Sequence, residues 1–287
     1  MVLLTAFAIY ALWDTRQIYQ EADKANYAVY KPTVENEGKT FKELQALNPE
    51  VIAWLTVYGT NIDYPVAQGR NNLKYVNIDA EGRHSISGAI FLDFQNSRDF
   101  SDFNSILFGH HMEKQKMFGE IGGFSDRNVF DAHKYGNLYY EDRDHGIVFF
   151  EFVSCDAYDK SVFTPNIMGD EARQVYLDEL IEKAIQKRDV SVSIGDHIIL
   201  LSTCSQDSTN GRDVLIGKIM DEVYEDPFIG ADTNDKMEPA GVDRQAVGFG
   251  GIRWLLRLVL ISAALILAVV LVNNNEKRKC GKNAKKE

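Results

Sequence analysis

The residues that could do chemistry are concentrated in Leu200 to Ile219, where Cys204 and Arg212 stand at the two mouths of a short polar loop. Ile198 to Thr203 has the composition of a buried strand, Ser205 to Gly211 is rich in turn-formers, and Val214 to Ile219 reads as a returning strand. Facing residues of such a hairpin lie roughly 5 Å apart at Cβ, so a thiol ending one strand and a guanidinium opening the next can face one site. A fixed cation beside a thiol favours the thiolate, its nucleophilic form. A lone Cys at a strand end also fits a small buried hydrophobe. Thr203, Ser205, Gln206 and Asp207 argue instead for partial exposure. For Arg212 the alternative is a surface ion pair with Asp207 or Asp213.

A nucleophile needs a base, and the candidate follows the apolar run that ends at Gly109, where His110 and His111 are adjacent. Successive strand side chains point to opposite faces, so only one of the two rings can face the thiol. The same alternation speaks against a metal site. No further His, Cys or carboxylate cluster at ligand spacing completes one.

Strands must position these groups, and strand signals recur at short intervals over Ala53 to Tyr58, Ile62 to Val66, Ser87 to Asp93, Ser105 to His110, Leu138 to Glu141, Gly146 to Cys155, His197 to Thr203 and Arg212 to Ile219. Several short, largely antiparallel strands predict a mainly β fold closed into an eight-stranded barrel, since closure removes exposed edges. Phe41 to Leu47 reads as a short helix that Asn48-Pro49 ends. Between the sixth and seventh strands, Glu171 to Arg188 places Leu177, Leu180, Ile181, Ala184 and Ile185 at helical spacing, an amphipathic helix inside a crossover.

The 287 residues, 45% of them hydrophobic, are enough for a full core. Of the three Cys residues, Cys280 lies in a basic tail; pairing Cys155 with Cys204 would consume the nucleophile, so both are expected reduced. The formal net charge is −11, divided into −17 before Arg253 and +6 from there on. An acidic body speaks against a nucleic-acid partner.

The ends of the chain read as membrane-related. Met1 to Trp13 is mostly apolar but shorter than a span, and is read as the remainder of an N-terminal signal-anchor, the alternative being a helix packed on the body. Residues 14–40 are expected to form a helical or extended stalk, with Asp14 to Tyr30 a mostly polar helix. After the barrel (41–220) and a polar, Gly- and Asp-rich linker (221–252), residues 253–273 predict a transmembrane helix and 274–287 a basic tail. Lys277, Arg278, Lys279, Lys282, Lys285 and Lys286 outnumber Arg253 and Arg257 on the other flank. That excess predicts a cytoplasmic C-terminus and an extracellular barrel at the plasma membrane.

In combination, Leu201-Ser202-Thr203-Cys204 with Arg212 eight residues later, Gly109-His110-His111-Met112 and Met117-Phe118 resemble the sortases, class B most closely. The likeness extends through Trp54-Leu55, Ile62 to Val66, Gly88 to Asp93 and Phe103-Asn104, and so covers about Phe41 to Ile219. It implies the sortase-type β-barrel, with N-terminal helices and a helix in the crossover between strands six and seven. Carried over by position, the catalytic Cys, His and Arg are Cys204, His110 and Arg212. Candidate substrate-binding residues are Ser202 and Thr203, with Tyr158, Ser161, Thr164 and Asn166 near the crossover helix.

The resemblance also implies the reaction. Another exported protein with a short C-terminal sorting signal, of the Asn-Pro-x-Thr type in many class B members, is cleaved through a Cys thioester. Its acyl group passes to an amine, from a peptidoglycan precursor or a pilin Lys, with no cofactor. Class B members usually carry only an N-terminal anchor; a C-terminal span is more typical of the pilin-polymerising class C, whose Asp-Pro-aromatic lid precedes the barrel. Here Asp226-Pro227-Phe228 follows it. Two other readings remain open on the residues, a secreted cysteine hydrolase that uses water and a non-catalytic surface module in which the hairpin is only structural.

Overall fold

The structure is a computed structural model that describes residues 2–33, 37–205 and 210–229. Two units divide the chain, Trp13–Ala240 and a second made of Met1–Leu12 with Gly241–Glu287, of which only residues 2–12 are described. The helices are α1 (Val2–Glu21), α2 (Lys39–Leu47), α3 (Arg127–Ala132) and α4 (Asp170–Lys183). The strands are β1 (Val51–Val57), β2 (Asp63–Ala67), β3 (Ile90–Leu92), β4 (Asn104–Phe108), β5 (His111–Met112), β6 (Lys116–Met117), β7 (Tyr135–Tyr140), β8 (Arg143–Asp156), β9 (Ala184–Lys187), β10 (Ile198–Cys204) and β11 (Gly211–Met220).

Eight strands close the barrel in the order β11-β10-β4-β3-β2-β1-β7-β8, with β8 pairing back onto β11. Only β2–β3 and β4–β10 run parallel among these pairs. All eight predicted strands are present, and closure satisfies the backbone groups that an open sheet would leave at its edges.

The wall around β4, β8, β10 and β11 is apolar at nearly every position because it is covered on both faces. Leu107, Ile199, Leu201, Leu215, Phe149 and Phe152 fill the interior together with Leu55, Tyr64 and Val66. Ile106, Ile198, Leu200, Val214, Ile216 and Val153 face outward, where Tyr176, Leu177 and Leu180 of α4 and Val162 cover them. Each of these buried α4 side chains contributes roughly 1.5–3 kcal/mol. The outward face of this wall is the one on which the site is built.

The crossover departs from the sequence reading at its C-terminal half. The helix stops at Lys183, and Ala184 to Lys187, expected as its last turn, form β9 on the edge of β8. Along β8, pairing with β7 ends at Val148, so the backbone at Glu151 to Val153 has an open edge. Hydrogen-bonding that edge outweighs the helical spacing of Ala184 and Ile185, the latter of which ends up exposed.

The segment predicted as a stalk also differs. Helix α1 ends at Glu21, two single 3-10 turns follow at 24–26 and 28–30, and this stretch lies against the barrel instead of continuing as one helix. Ala22 and Tyr27 are buried, the Tyr64 hydroxyl donates to the Ala22 carbonyl at 2.9 Å, and Lys116 pairs with Asp23 at 2.6 Å. In residues 4–12, Leu4, Phe7, Ile9 and Leu12 are exposed. No helix among the described residues is long and apolar enough to cross a membrane. The predicted span at 253–273 and the basic tail lie outside the described residues.

At the other end of the barrel unit, the chain leaves β11 at Met220 and straps back across β7. Tyr224 stacks on Tyr135 at 4.3 Å, its carbonyl accepts from the Tyr58 hydroxyl, and Phe228 stacks on His133 at 5.0 Å. Asp226-Pro227-Phe228 is therefore part of a strap, with the Asp226 carboxylate accepting from the Phe228 N–H.

Candidate active site

Strand register assembles the site. β10 and β11 pair without a break from Ile198 opposite Lys218 to Cys204 opposite Arg212. Beyond the last pair the Ser205 N–H donates to the Gly211 carbonyl at 2.9 Å and fastens the mouth of the hairpin. The alternation that sends Leu201 and Thr203 inward sends Leu200, Ser202 and Cys204 outward, and Val214 and Arg212 likewise. Cys204 is exposed, as the polar residues around it predict.

On its far side Arg212 faces Cys155 of β8. The two thiols are both free, yet their settings differ. Burial pushes the Cys155 thiol up to about 12, so it stays protonated, while Cys204 opens to solvent. Among the described residues Arg212 forms no ion pair; one of its Nη atoms donates to the Gly211 carbonyl at 3.0 Å. The Asp213 carboxylate accepts from Ser154 Oγ at 2.6 Å. Asp207 lies outside the described residues.

The parallel pairing of β4 with β10 brings in the histidine. Ser202 is the partner of Phe108, the last registered pair, the Gly109 N–H donates to the Ser202 carbonyl at 3.1 Å, and two residues beyond that pair the two chains reach Cys204 and His110. His110 lies just past the end of β4, in the connection to the β5–β6 hairpin. Its carbonyl accepts from the Phe118 N–H, and its ring Nε2 lies 2.7 Å from the Val76 carbonyl oxygen. A carbonyl oxygen can only accept, so Nε2 carries the hydrogen and Nδ1 is the nitrogen left to exchange protons.

Two glycines allow this placement. A Cβ on Gly109 would lie 2.7 Å from the Phe118 ring, and Gly88, in the left-handed region at φ +59°, would drive a Cβ into the carbonyls of Tyr75 and Val76. His111, by contrast, opens β5 and is half-buried. Burial lowers its pKa, against the pull of the Asp213 and Glu113 carboxylates. Asp213 belongs to the inward set of β11, the face opposite Arg212.

The remaining predicted residues separate into groups. Ser202 and Thr203 are 1% and 2% exposed, on a strand covered on both faces, so their side chains offer no open surface in this conformation. Tyr158 is exposed just beyond the point where the Ala157 N–H donates to the Asn210 carbonyl, which places it at the hairpin mouth. Ser161 bonds to Asp159 and Thr164 to the Lys160 carbonyl, and both line a groove against α4. Asn166 is exposed in the same loop with φ +52°.

What holds that loop to the barrel had no assigned role in the sequence reading. Asn104, fully buried, donates from Nδ2 to the Thr164 carbonyl at 2.7 Å and accepts from the Ile167 N–H at 3.0 Å. Phe163 packs against Phe108 at 6.3 Å, two residues before His110. Among the described residues no three His, Cys, Asp or Glu side chains converge as a metal would require.

A thiol exposed at a strand end, a cation directly across from it and an oriented imidazole at the exit of the adjoining strand form an arrangement for acyl transfer through a thioester. No family model matches the chain. Sortase B of Staphylococcus aureus is 31% identical over 185 residues, covering 63% of this chain and 74% of that protein. The crystal structure of sortase B from the type II pilus of Streptococcus pneumoniae is 47% identical and covers 63% of this chain and 99% of that one, with a TM-score of 0.57. A Streptococcus pyogenes class B sortase involved in pilus biogenesis is 37% identical and covers 64% of this chain and 99% of that one, with a TM-score of 0.58. With this fold and these relatives, the chain belongs to the class B sortases and is a cysteine transpeptidase.

Proposed function

We propose that the protein joins exported proteins to an amine at the cell surface, using Cys204, His110 and Arg212 on a C-terminal sorting signal. The observation that carries this reading is the register that sets Cys204 directly opposite Arg212, with His110 two residues past the end of the adjoining parallel strand. The Cys204 thiolate attacks the scissile carbonyl carbon, and Arg212 donates to the oxyanion that forms. His110 protonates the departing amine as the tetrahedral species collapses to a thioester. The acceptor amine then gives a proton to His110, attacks the thioester carbonyl and releases the thiolate, leaving a new amide. The acceptor is a peptidoglycan precursor or a pilin Lys; two relatives' association with pili supports the second as an option.

Arg212 is the sharpest test of this scheme. Arg212→Ala is expected to lower turnover of a sorting-signal peptide roughly 100- to 1,000-fold, as removal of other oxyanion donors does, with little change in stability. Arg212→Lys keeps a charge but loses the planar fork of donors, so Cys204 should still label with iodoacetamide while transpeptidation stays slow. Near-normal turnover in the Ala variant returns Arg212 to a structural role. Release of free acid with no amine-linked product would make the protein a hydrolase.

The body is placed outside the cell, held by the apolar segment at 253–273, on the strength of the six basic residues that follow Val272. Protease added to intact protoplasts should digest the barrel and spare the tail. Loss of the tail alone reverses that orientation.

A further inference from the structure

Away from Cys204, the outward face of β8 carries a buried carboxylate with no assigned task. Glu151 is 3% exposed, and no described residue hydrogen-bonds its carboxylate, whose Oε2 is sealed from solvent. It lines a cavity of about 350 Å³ between α4, β9 and residues 188–192, walled by Phe150, Leu177, Ile181, Val190 and Val192. Gln174, Lys187, Arg188 and Asp189 complete the lining, yet a buried carboxylate left unpaired is costly, and native structures rarely keep one without a partner.

The neighbouring charges do not supply that partner. Lys187 faces Glu151 across the β8–β9 ladder, but its side chain is exposed and forms no ion pair with it. The Arg188 guanidinium donates to the Phe149 and Phe130 carbonyls and stacks 4.4 Å over the Phe130 ring. Asp189 is exposed on the rim, and Gln174 of α4 donates to Asp178.

We propose that this cavity is a second ligand site, which takes a primary alkylammonium group: the aliphatic chain lies against Phe150, Leu177 and Ile181, and the ammonium donates to Glu151. The occupant is charge-complementary to the one buried acid and apolar where the walls are apolar. A free aliphatic amine and a Lys side chain both present this chemistry. The site lies four residues along β8 from Cys155, the neighbour of Arg212, and is separate from the transfer centre.

Burial raises the Glu151 carboxyl to about 7, against the pull of the Lys187 ammonium. The native state therefore holds its proton more tightly than the unfolded chain, and stability falls as pH rises from the ordinary carboxylate range through about 7. An ammonium that pairs with the ionised form should recover it.

The test is titration of the whole protein with n-pentylamine and with Nα-acetyl-lysine amide, followed by calorimetry and by thermal melts at pH 5.5 and pH 8. With a carboxyl near 7, ionised Glu151 is about thirtyfold more abundant at pH 8, and affinity should rise by about that factor. Binding of n-pentylamine alone identifies a free amine, and binding of both identifies a site open to Lys side chains. Glu151→Gln should abolish the pH dependence and weaken binding at least about tenfold. Ile181→Trp, which narrows the cavity and leaves the acid in place, should also block it. The proposal fails if n-pentanol binds as well as the amine, if affinity falls with pH, or if neither variant changes binding.

Discussion

Cys204→Ala should eliminate cleavage of a sorting-signal peptide, a fall of roughly 10⁴-fold or more, because no other described group can form the thioester. Its thermal melt should stay within about 0.5 kcal/mol of the parent, since the side chain is exposed at the last pair of β10 and fills no core space. Cys155 cannot substitute. It faces Arg212 from the other side, yet burial keeps it protonated. Mass spectrometry should show an acyl adduct on the parent protein and none on the variant; residual turnover above background would remove Cys204 from the mechanism.

His110→Ala should cost roughly 10² to 10⁴ in rate, the range for loss of a general acid and base, whereas His111→Ala should keep most activity. The difference comes from the two faces. His110 follows β4, which pairs with β10 as far as Ser202, and is oriented by the Val76 carbonyl, while His111 sits half-buried on the side of Asp213. Peptide turnover of the two variants decides it. Equal losses would refute the choice of His110, and a larger loss in His111→Ala would reverse it.

What was readable in the sequence, and what was not, follows from the range of the interactions. The eight barrel strands announce themselves through local apolar runs such as Ile198 to Leu201, and the Cys204–Arg212 pairing follows from a hairpin whose loop is short. β9 was missed because Ala184 to Lys187 answer to an open edge on β8, more than thirty residues earlier in the chain. The β5–β6 hairpin has only two residues on each strand and no apolar run to mark it. Asn104 and the Val76 carbonyl position the site through hydrogen bonds to backbone distant in sequence, and such contacts leave no pattern around either residue. The burial of Ser202 and Thr203 is likewise not legible, because adjacency to a reactive residue along a strand says nothing of exposure.

The ten residues of β11 connect the two ends of the barrel, with Arg212 at one and Met220 at the other, where the strap begins. At about 3.3 Å per residue that strand is a rigid rod of roughly 30 Å, stiffened by β8 on one side and β10 on the other. A rod of fixed length between the chain's exit and its reactive end acts as a gauge. Whatever holds the exit in place would therefore also set the height at which Cys204 stands above it. Lengthening 221–229 would shift that height without touching a residue of the site.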